Sequence, residues 1–161
     1  MRLGLISDTH GFLDPAIPGL FDGVDLILHA GDVGPLSIVD KLAAIAPVRA
    51  VHGNIDEGTE TARRLPLVDA FELESVRFHL VHQLDPRHLP EADVVVYGHS
   101  HIARVAEIDG RLVVNPGAAG RRGFHRVFTL GFVDIIDRKP KARIVEFGAR
   151  TPRVAAGPQE I

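Results

Sequence analysis

The apolar positions of the chain fall into two textures. Up to about residue 66, short and nearly continuous apolar runs alternate with loops and helical stretches. Leu3–Ser7, Asp25–His29 and Val48–His52 read as strands buried on both faces. A loop holding Asp14–Pro15 and Pro18–Gly19 encloses a short helical turn ending at Phe21. Pro35 suits the first position of a helix whose apolar face is Leu36, Val39, Leu42, Ala43 and Ala46, and Pro47 stops it. Residues 57–65 read as a short helix before Pro66. Strand, loop and helix repeated in this way predict βαβ units and a parallel sheet.

From Phe71 the pattern becomes alternation. Phe71–Glu74 and Val76–His82 predict a hairpin, and Val94–Tyr97 a buried strand after the polar link 83–92. Ile102–Glu107, Leu112–Asn115, Val127–Ile136 and Ala142–Phe147 alternate between turns at Asp109–Gly110 and Asp137–Lys139. The expectation is two sheets, parallel-rich in the first half and antiparallel in the second, with helices outside. Residues 1–148 form one domain, and 149–161, with two prolines and small residues, read as a flexible tail.

Composition narrows the chemistry. The 161 residues suit one domain with a sizeable core. There is no cysteine, which excludes disulfides and thiolate metal sites. The N-terminal apolar run is too short for a signal peptide, and no stretch approaches the roughly 20 apolar residues of a membrane span. The reading is a soluble, cytoplasmic protein with no membrane partner. A formal net charge of -3 argues mildly against nucleic acid as the main partner. Oligomeric state is open, a homo-oligomer included.

Candidate chemistry gathers where the strands end. Asp8 and His10 follow the first strand, Asp32 the second, Asn54 the third, His82 the hairpin, and His99 and His101 the run Val94–Tyr97. Ligands of parallel sheets collect at the carboxyl ends of strands. Each residue alone, beside glycine, is ordinary turn chemistry; all seven at strand ends together are not. In extended backbone His99 and His101 would point the same way, to share one metal site or feed two adjacent ones. Oxygen and imidazole donors without thiolate point to Mn²⁺, Fe²⁺, Zn²⁺ or Ni²⁺ rather than Ca²⁺. Seven donors exceed one tetrahedral site and suit two ions roughly 3.5–4 Å apart with one carboxylate bridging. Gly11, Gly31, Gly53 and Gly98 beside these donors allow close backbone approach. His29 is a packed histidine or one supporting the donors; His79, His88 and His125 read as surface or structural, Arg121 and Arg122 as a solvated loop, and Asn115–Gly117 as a turn.

The order Asp8-x-His10, Gly31–Asp32, Gly53–Asn54-x-Asp56, His82 and Gly98–His99-x-His101 resembles the calcineurin-like metallophosphoesterase superfamily. The short length and Asn115–Pro116–Gly117 are similar to its small prokaryotic phosphodiesterase branch, which also includes the retromer scaffold subunit. The resemblance covers about residues 1 to 148. It implies an α/β fold, a four-layer αββα sandwich of two mixed sheets flanked by helices, in agreement with the two-sheet reading. It implies two divalent ions, Mn²⁺ foremost with Fe, Ni, Zn or Mg as alternatives. One would sit on Asp8, His10 and His101, the other on Asn54, His82 and His99, with Asp32 bridging. Asp32, Asn54 and His99 would carry catalysis through metal and phosphate positioning, with Asp56 and His29 behind them.

The implied activity is hydrolysis of a small-molecule phosphate ester or diester by in-line attack of a metal-bridging hydroxide. Two positions depart from the pattern. Gln83–Leu84 follow His82 where the branch usually has glycine and then His or Asn, and Ile55 stands where many members carry a general-acid His. Asp56 and His52 are the nearby substitutes for that acid. Without one, aryl or activated diesters are favoured. The alternative is a protein-binding scaffold of the same fold, which loss of a donor would favour. A metallo-β-lactamase arrangement is excluded by Ala103–Arg104 after the His-x-His pair.

Overall fold

The computed structural model describes residues 1–150 of the chain. Strands β1 (Arg2–Ile6), β2 (Leu26–His29) and β3 (Val48–Ala50) pair in parallel, as their doubly apolar runs require. Helices α1 (Ile17–Leu20) and α2 (Ser37–Ala43) link them. The second texture supplies β4 (Val68–Leu73), β5 (Val76–Val81), β6 (Val94–Val96), β7 (Arg104–Ile108), β8 (Arg111–Asn115), β9 (Val127–Ile136) and β10 (Lys139–Ala149). The expected tail lies outside the described residues from residue 151 onward, and Ala149 still belongs to β10. Among the described residues no helix is long and apolar enough to cross a membrane.

The strands form two five-stranded mixed sheets, ordered β10-β9-β1-β2-β3 and β4-β5-β6-β8-β7. The division into a parallel first half and an antiparallel second half is therefore corrected. The β9–β10 hairpin joins the first sheet, antiparallel to β1, while β5, β6 and β8 run parallel in the second. The reason is visible in β9. Leu130 and Phe132 pack on one face and Val133 and Ile135 on the other, so β9 needs an interior position. β10, with exposed Lys139, Lys141 and Arg143, can hold the edge.

The core between the sheets is built from Leu3, Leu5, Leu28, Phe78, Leu80 and Val96 among others. On the outside of the first sheet, Ile17 and Phe21, at the end of α1, and Ile38 and Leu42 of α2 pack against Ile6, Ile27 and Phe132. The buried face of α2 is thus Ile38 and Leu42, continued by Ala46, whereas Ala43 is exposed. The helix begins at Ser37, and the i, i+4 spacing of Ile38, Leu42 and Ala46 carries the stripe. The expected helix over 57–65 is a 3₁₀ turn, Asn54–Asp56, followed by α3 (Glu60–Arg64). Outside the second sheet, Leu84 and Ala92 of the 83–92 link cover Val95 and Val113.

This topology positions the site. The carboxyl ends of β1, β2 and β3 from one sheet and of β5 and β6 from the other meet at one edge of the sandwich, where His82 reaches Ala30 and Asn54.

Candidate metal centre

All seven sequence-predicted donors come together at that edge. Asp8, Asp32 and His82 are buried at the floor, His10 and His101 are half-buried, and Asn54 and His99 lie at the exposed rim. Oxygen and imidazole atoms of Asp8, His10, Asp32 and His101 lie within 4.8 Å of one another, and so do those of Asp32, His82 and His99. Asp32 belongs to both groups. Asn54 Oδ1 joins the second, 3.1 Å from His82 Nε2 and 3.0 Å from His99 Nδ1. The rings pair accordingly, His10 with His101 and His82 with His99, each edge to face.

The backbone achieves this differently from the extended geometry expected. β1 and β6 stop at Ile6 and Val96, and Asp8, His10, Asp32, His99 and His101 all have left-handed φ between 46° and 72°. The other non-glycine residues with positive φ are hairpin-turn residues. Non-glycine residues in this region are uncommon and cluster at functional sites. Left-handed steps at 99 and 101 separate the two imidazoles, one into each group. Close approach also demands glycine. A Cβ on Gly98 would lie 2.1 Å from Ser7 Oγ and 2.9 Å from Asp8 Oδ2, and one on Gly53 2.1 Å from Asp32 Oδ1.

Hydrogen bonds aim the donors. Ser7 Oγ–H and the His99 N–H donate to Asp8 Oδ2, at 2.7 and 3.1 Å. The Ile55 N–H donates to Asp32 Oδ1. His82 Nδ1–H donates to the Ala30 carbonyl at 2.7 Å, which leaves Nε2 bare in the neutral ring. That nitrogen faces Asp32 Oδ1 at 3.2 Å, Asn54 Oδ1 at 3.1 Å and Asp8 Oδ1 at 3.9 Å. A bare nitrogen among acceptor oxygens takes up either a proton or a metal cation. Asp8 Oδ1 and His10 Nε2 are buried without any hydrogen-bond partner, which is the same requirement.

The electrostatics agree. Burial pushes the Asp32 carboxyl up, but His82, the Ile55 N–H and His10 outweigh it and hold the group below the ordinary carboxylate range. Burial pushes the His82 imidazole down, but Asp32 and Asp8 outweigh it and hold it above its usual value, so the floor attracts positive charge. Burial wins at His10 and His125, whose imidazoles are pushed down. The residues present therefore fit two divalent cations of borderline character.

The supporting residues sort clearly. Asp56, buried, accepts the N–H groups of Val33, Gly34 and Gly53 at 3.0, 2.9 and 2.9 Å. Both oxygens are engaged with backbone, which corrects its candidacy as general acid: it ties the Asp32 loop to the Asn54 loop. His52 lies outside the donor groups, with Nδ1 3.5 Å from the Gly53 carbonyl. His29 is fully buried. Its Nδ1 accepts the Gly31 N–H and its Nε2–H donates to Thr9 Oγ, which in turn donates to the Val33 carbonyl. Burial pushes its pKa down to about 4, so it is a neutral brace for the Asp32 loop.

Gln83, one of the departures from the pattern, lays its amide nitrogen 3.3 Å from His99 Nδ1. His79 and His88 lie outside the donor groups, and Arg121 stacks its guanidinium 4.0 Å over the Phe12 ring.

Two residues read as structural turn out to touch the site. Asn115, wholly buried, donates to the Gly98 carbonyl and to Ser100 Oγ and accepts the Gly117 N–H, so it braces the loop carrying His99 and His101. His125 lies 3.1 Å from His101, nitrogen to nitrogen. Both come from outside the donor motifs, and the signals for Asn115 are its place in Asn115–Pro116–Gly117 and at the end of β8. A cavity of about 370 Å³ opens beside these rings, walled by Ile102, Phe124 and His125.

Known proteins share this architecture. Residues 1–138 match the family model of the calcineurin-like phosphoesterase superfamily domain. A probable metallophosphoesterase of Methanothermobacter thermautotrophicus is 37% identical, over 73% of this chain and 77% of that protein. A phosphodiesterase of Methanocaldococcus jannaschii is 30% identical, over 73% and 83%. Among solved structures, an archaeal phosphodiesterase superposes with a TM-score of 0.74 at 24% identity, over 91% of this chain and all of that one. Vps29 of Chaetomium thermophilum gives 0.73 at 18% identity, over 91% and 97%, a likeness of fold alone.

Proposed function

The chain belongs to the calcineurin-like phosphoesterase superfamily, and we propose that within it this protein is a dinuclear, metal-dependent phosphodiesterase acting on a small-molecule phosphate ester. The observation that carries the reading is Asp32, shared by two groups of converging oxygen and imidazole donors, with Asp8 Oδ1 and His10 Nε2 buried among them without a hydrogen-bond partner. Asp8, His10 and His101 would hold one cation, Asn54, His82 and His99 the other, and Asp32 would bridge. Mn²⁺ is the ion proposed first on the family resemblance, and the oxygen and imidazole donors also suit Fe²⁺, Ni²⁺ and Zn²⁺. We place the enzyme in the cytoplasm.

When bound, two such cations activate water at neutral pH and neutralise the phosphate oxygens as charge develops. The chain's own residues do the rest. Asp56, His29 and Asn115 fix the loops, so that the donors need no reorganisation on substrate binding. Asn54 and His99, exposed at the rim, would meet a phosphate oxygen. Ile55, where a general acid would stand, offers no proton, and the residue is 41% exposed beside Pro35 and Leu36. The leaving group must therefore depart as a stable anion, which favours aryl and other activated diesters. Retention of all seven donors speaks against the scaffold alternative.

The test is Mn²⁺-dependent hydrolysis of bis-p-nitrophenyl phosphate by wild type and Asp32→Ala, with metal content measured in both. Wild-type turnover lost with Asp32→Ala is expected. A wild type inactive with Mn²⁺, Ni²⁺ and Fe²⁺ would overturn the enzymatic reading.

A further inference from the structure

A chain of hydrogen bonds starts from the Asp8 main chain and leads back to the Asp8 side chain. The Gly120 N–H donates to the Asp8 carbonyl at 3.1 Å, which pins the 117–126 loop to the floor. The Gly120 carbonyl in turn lies 2.8 Å from His125 Nε2. A carbonyl only accepts, so the His125 proton sits on Nε2 and its Nδ1 is bare in the neutral ring. That Nδ1 is 3.1 Å from His101 Nδ1. This contact is a hydrogen bond and needs one proton, so His101 carries it on Nδ1 and donates it. His101 Nε2 is left bare, 3.2 Å from Asp8 Oδ1, the oxygen that lacks any partner.

Gly123 makes the approach of the two rings possible. Its φ is +114°, and a Cβ there would lie 2.3 Å from His101 Nδ1 and 3.2 Å from His125 Nδ1. The loop is thus shaped to lay a histidine, and nothing bulkier of its own, on the outer nitrogen of His101. The rings meet edge to face with centroids 5.0 Å apart, and Phe128 backs His125 at 5.8 Å.

We infer that His125 is a positioning residue that sets the tautomer and ring orientation of His101, so that His101 Nε2 is presented as a cation donor on the Asp8 side of the centre. Outer partners of this kind usually act through a carboxylate or carbonyl, and their loss costs about 10–100-fold in metal affinity. Here a second imidazole takes that place and relays its own orientation from the Gly120 carbonyl. The inference rests on the metal-centre reading, and the experiment separates the two.

Two measurements on the full chain test it. In the metal-free protein, long-range ¹⁵N–¹H imidazole spectra should show the His101 proton on Nδ1 and the His125 proton on Nε2. His125→Ala should release His101 into a mixture of tautomers. In Mn²⁺ titrations followed by electron paramagnetic resonance, His125→Ala should weaken the first cation about 10–100-fold, with the second little changed, so that the coupled-pair signal gives way to a single-ion signal. His125→Asn, whose Oδ1 can accept the same proton, should restore wild-type affinity. A wild-type His101 protonated on Nε2 would overturn the inference, and so would unchanged affinity in His125→Ala or equal loss at both sites. If the wild type bound no Mn²⁺, the metal-centre reading would fail, while the spectra would still decide how His101 is oriented.

Discussion

Replacing Asp56 by alanine should destabilise the fold and the metal centre together. The carboxylate holds three backbone N–H groups, those of Val33 and Gly53 fully buried and that of Gly34 partly so. Each buried donor left unpaired costs about 1–3 kcal/mol, and the partly exposed one about 0.5–1.5 kcal/mol because water reaches it. The sum is about 2.5–7.5 kcal/mol, a large share of the roughly 5–15 kcal/mol that holds a domain folded. Asp56→Asn should cost less, since one oxygen remains, but its NH₂ must face a backbone N–H. Urea unfolding of wild type and both variants in chelator measures the order wild type, Asn, Ala. The second readout is Mn²⁺ binding at a temperature where Asp56→Ala is still folded. Because Asp56 links the Asp32 loop to the Asn54 loop, both cations should weaken, unlike the one-sided loss expected from His125→Ala. A loss of less than about 1 kcal/mol in Asp56→Ala would refute the reasoning, because it would mean that the three N–H groups find other partners at no cost. Full stability loss with unchanged Mn²⁺ affinity would refute the coupling.

Three further outcomes are expected. His101→Ala should lower the metal content from two ions per chain toward one, read by elemental analysis; loss of both or of neither would contradict the division of donors. His29, with a folded pKa of about 4 against an ordinary 6.5, stays neutral in the fold while the unfolded chain binds its proton. Its contribution, about 3 kcal/mol, should be present above pH 6.5, fall as pH drops toward 4, and be flat below; stability curves of the chelated wild type against His29→Gln measure it, and parallel curves across that window would reject it. For substrates, rates should fall steeply as the leaving-group pKa rises along a series of aryl and alkyl diesters, and alkyl esters hydrolysed as fast as aryl ones would mean that a proton donor exists after all.

The donors were legible because chemistry and topology coincide in them. Asp8, Asp32, Asn54 and His99 each follow a short apolar run and sit near glycine, and a parallel sheet sends such ends to one edge. What local pattern could not supply was contact across the fold. His125 meets His101 from 24 residues away through a loop with no apolar period, so its spacing to the other donors carries no signal. Asp56 is legible only as a carboxylate behind the donors or a substitute acid, because its three partners are backbone groups, which sequence does not distinguish. The placement of β9 was missed for a related reason. Its length and double-sided burial ask for an interior position, but only the pairing with β1 says in which sheet.

The left-handed backbone explains why the donors are so closely held. Asp8, His10, Asp32, His99 and His101 each adopt a conformation that costs on the order of 1 kcal/mol for a residue with a Cβ. Five such residues persist because the surrounding structure over-determines them. Backbone N–H groups of Asp8, His10 and Gly11 donate to the carbonyls of Gly31, Asp32 and Val33, so the first two loops are zipped together residue by residue. Asp8 Oδ2 then captures the His99 N–H and Asn115 holds the Gly98 carbonyl, which stitches the second sheet's loop onto the first. A donor set spread over five loops would ordinarily be loose, because each loop contributes its own freedom. Here every loop is hydrogen-bonded to its neighbour, main chain to main chain or through the carboxylates of Asp56, Asp32 and Asp8, and among the described residues the buried side-chain atoms without a partner, Asp8 Oδ1 and His10 Nε2, are those the bonds aim at the donor groups. The strain is therefore located where binding a cation can repay it, and among the described residues the other non-glycine residues of positive φ lie in hairpin turns.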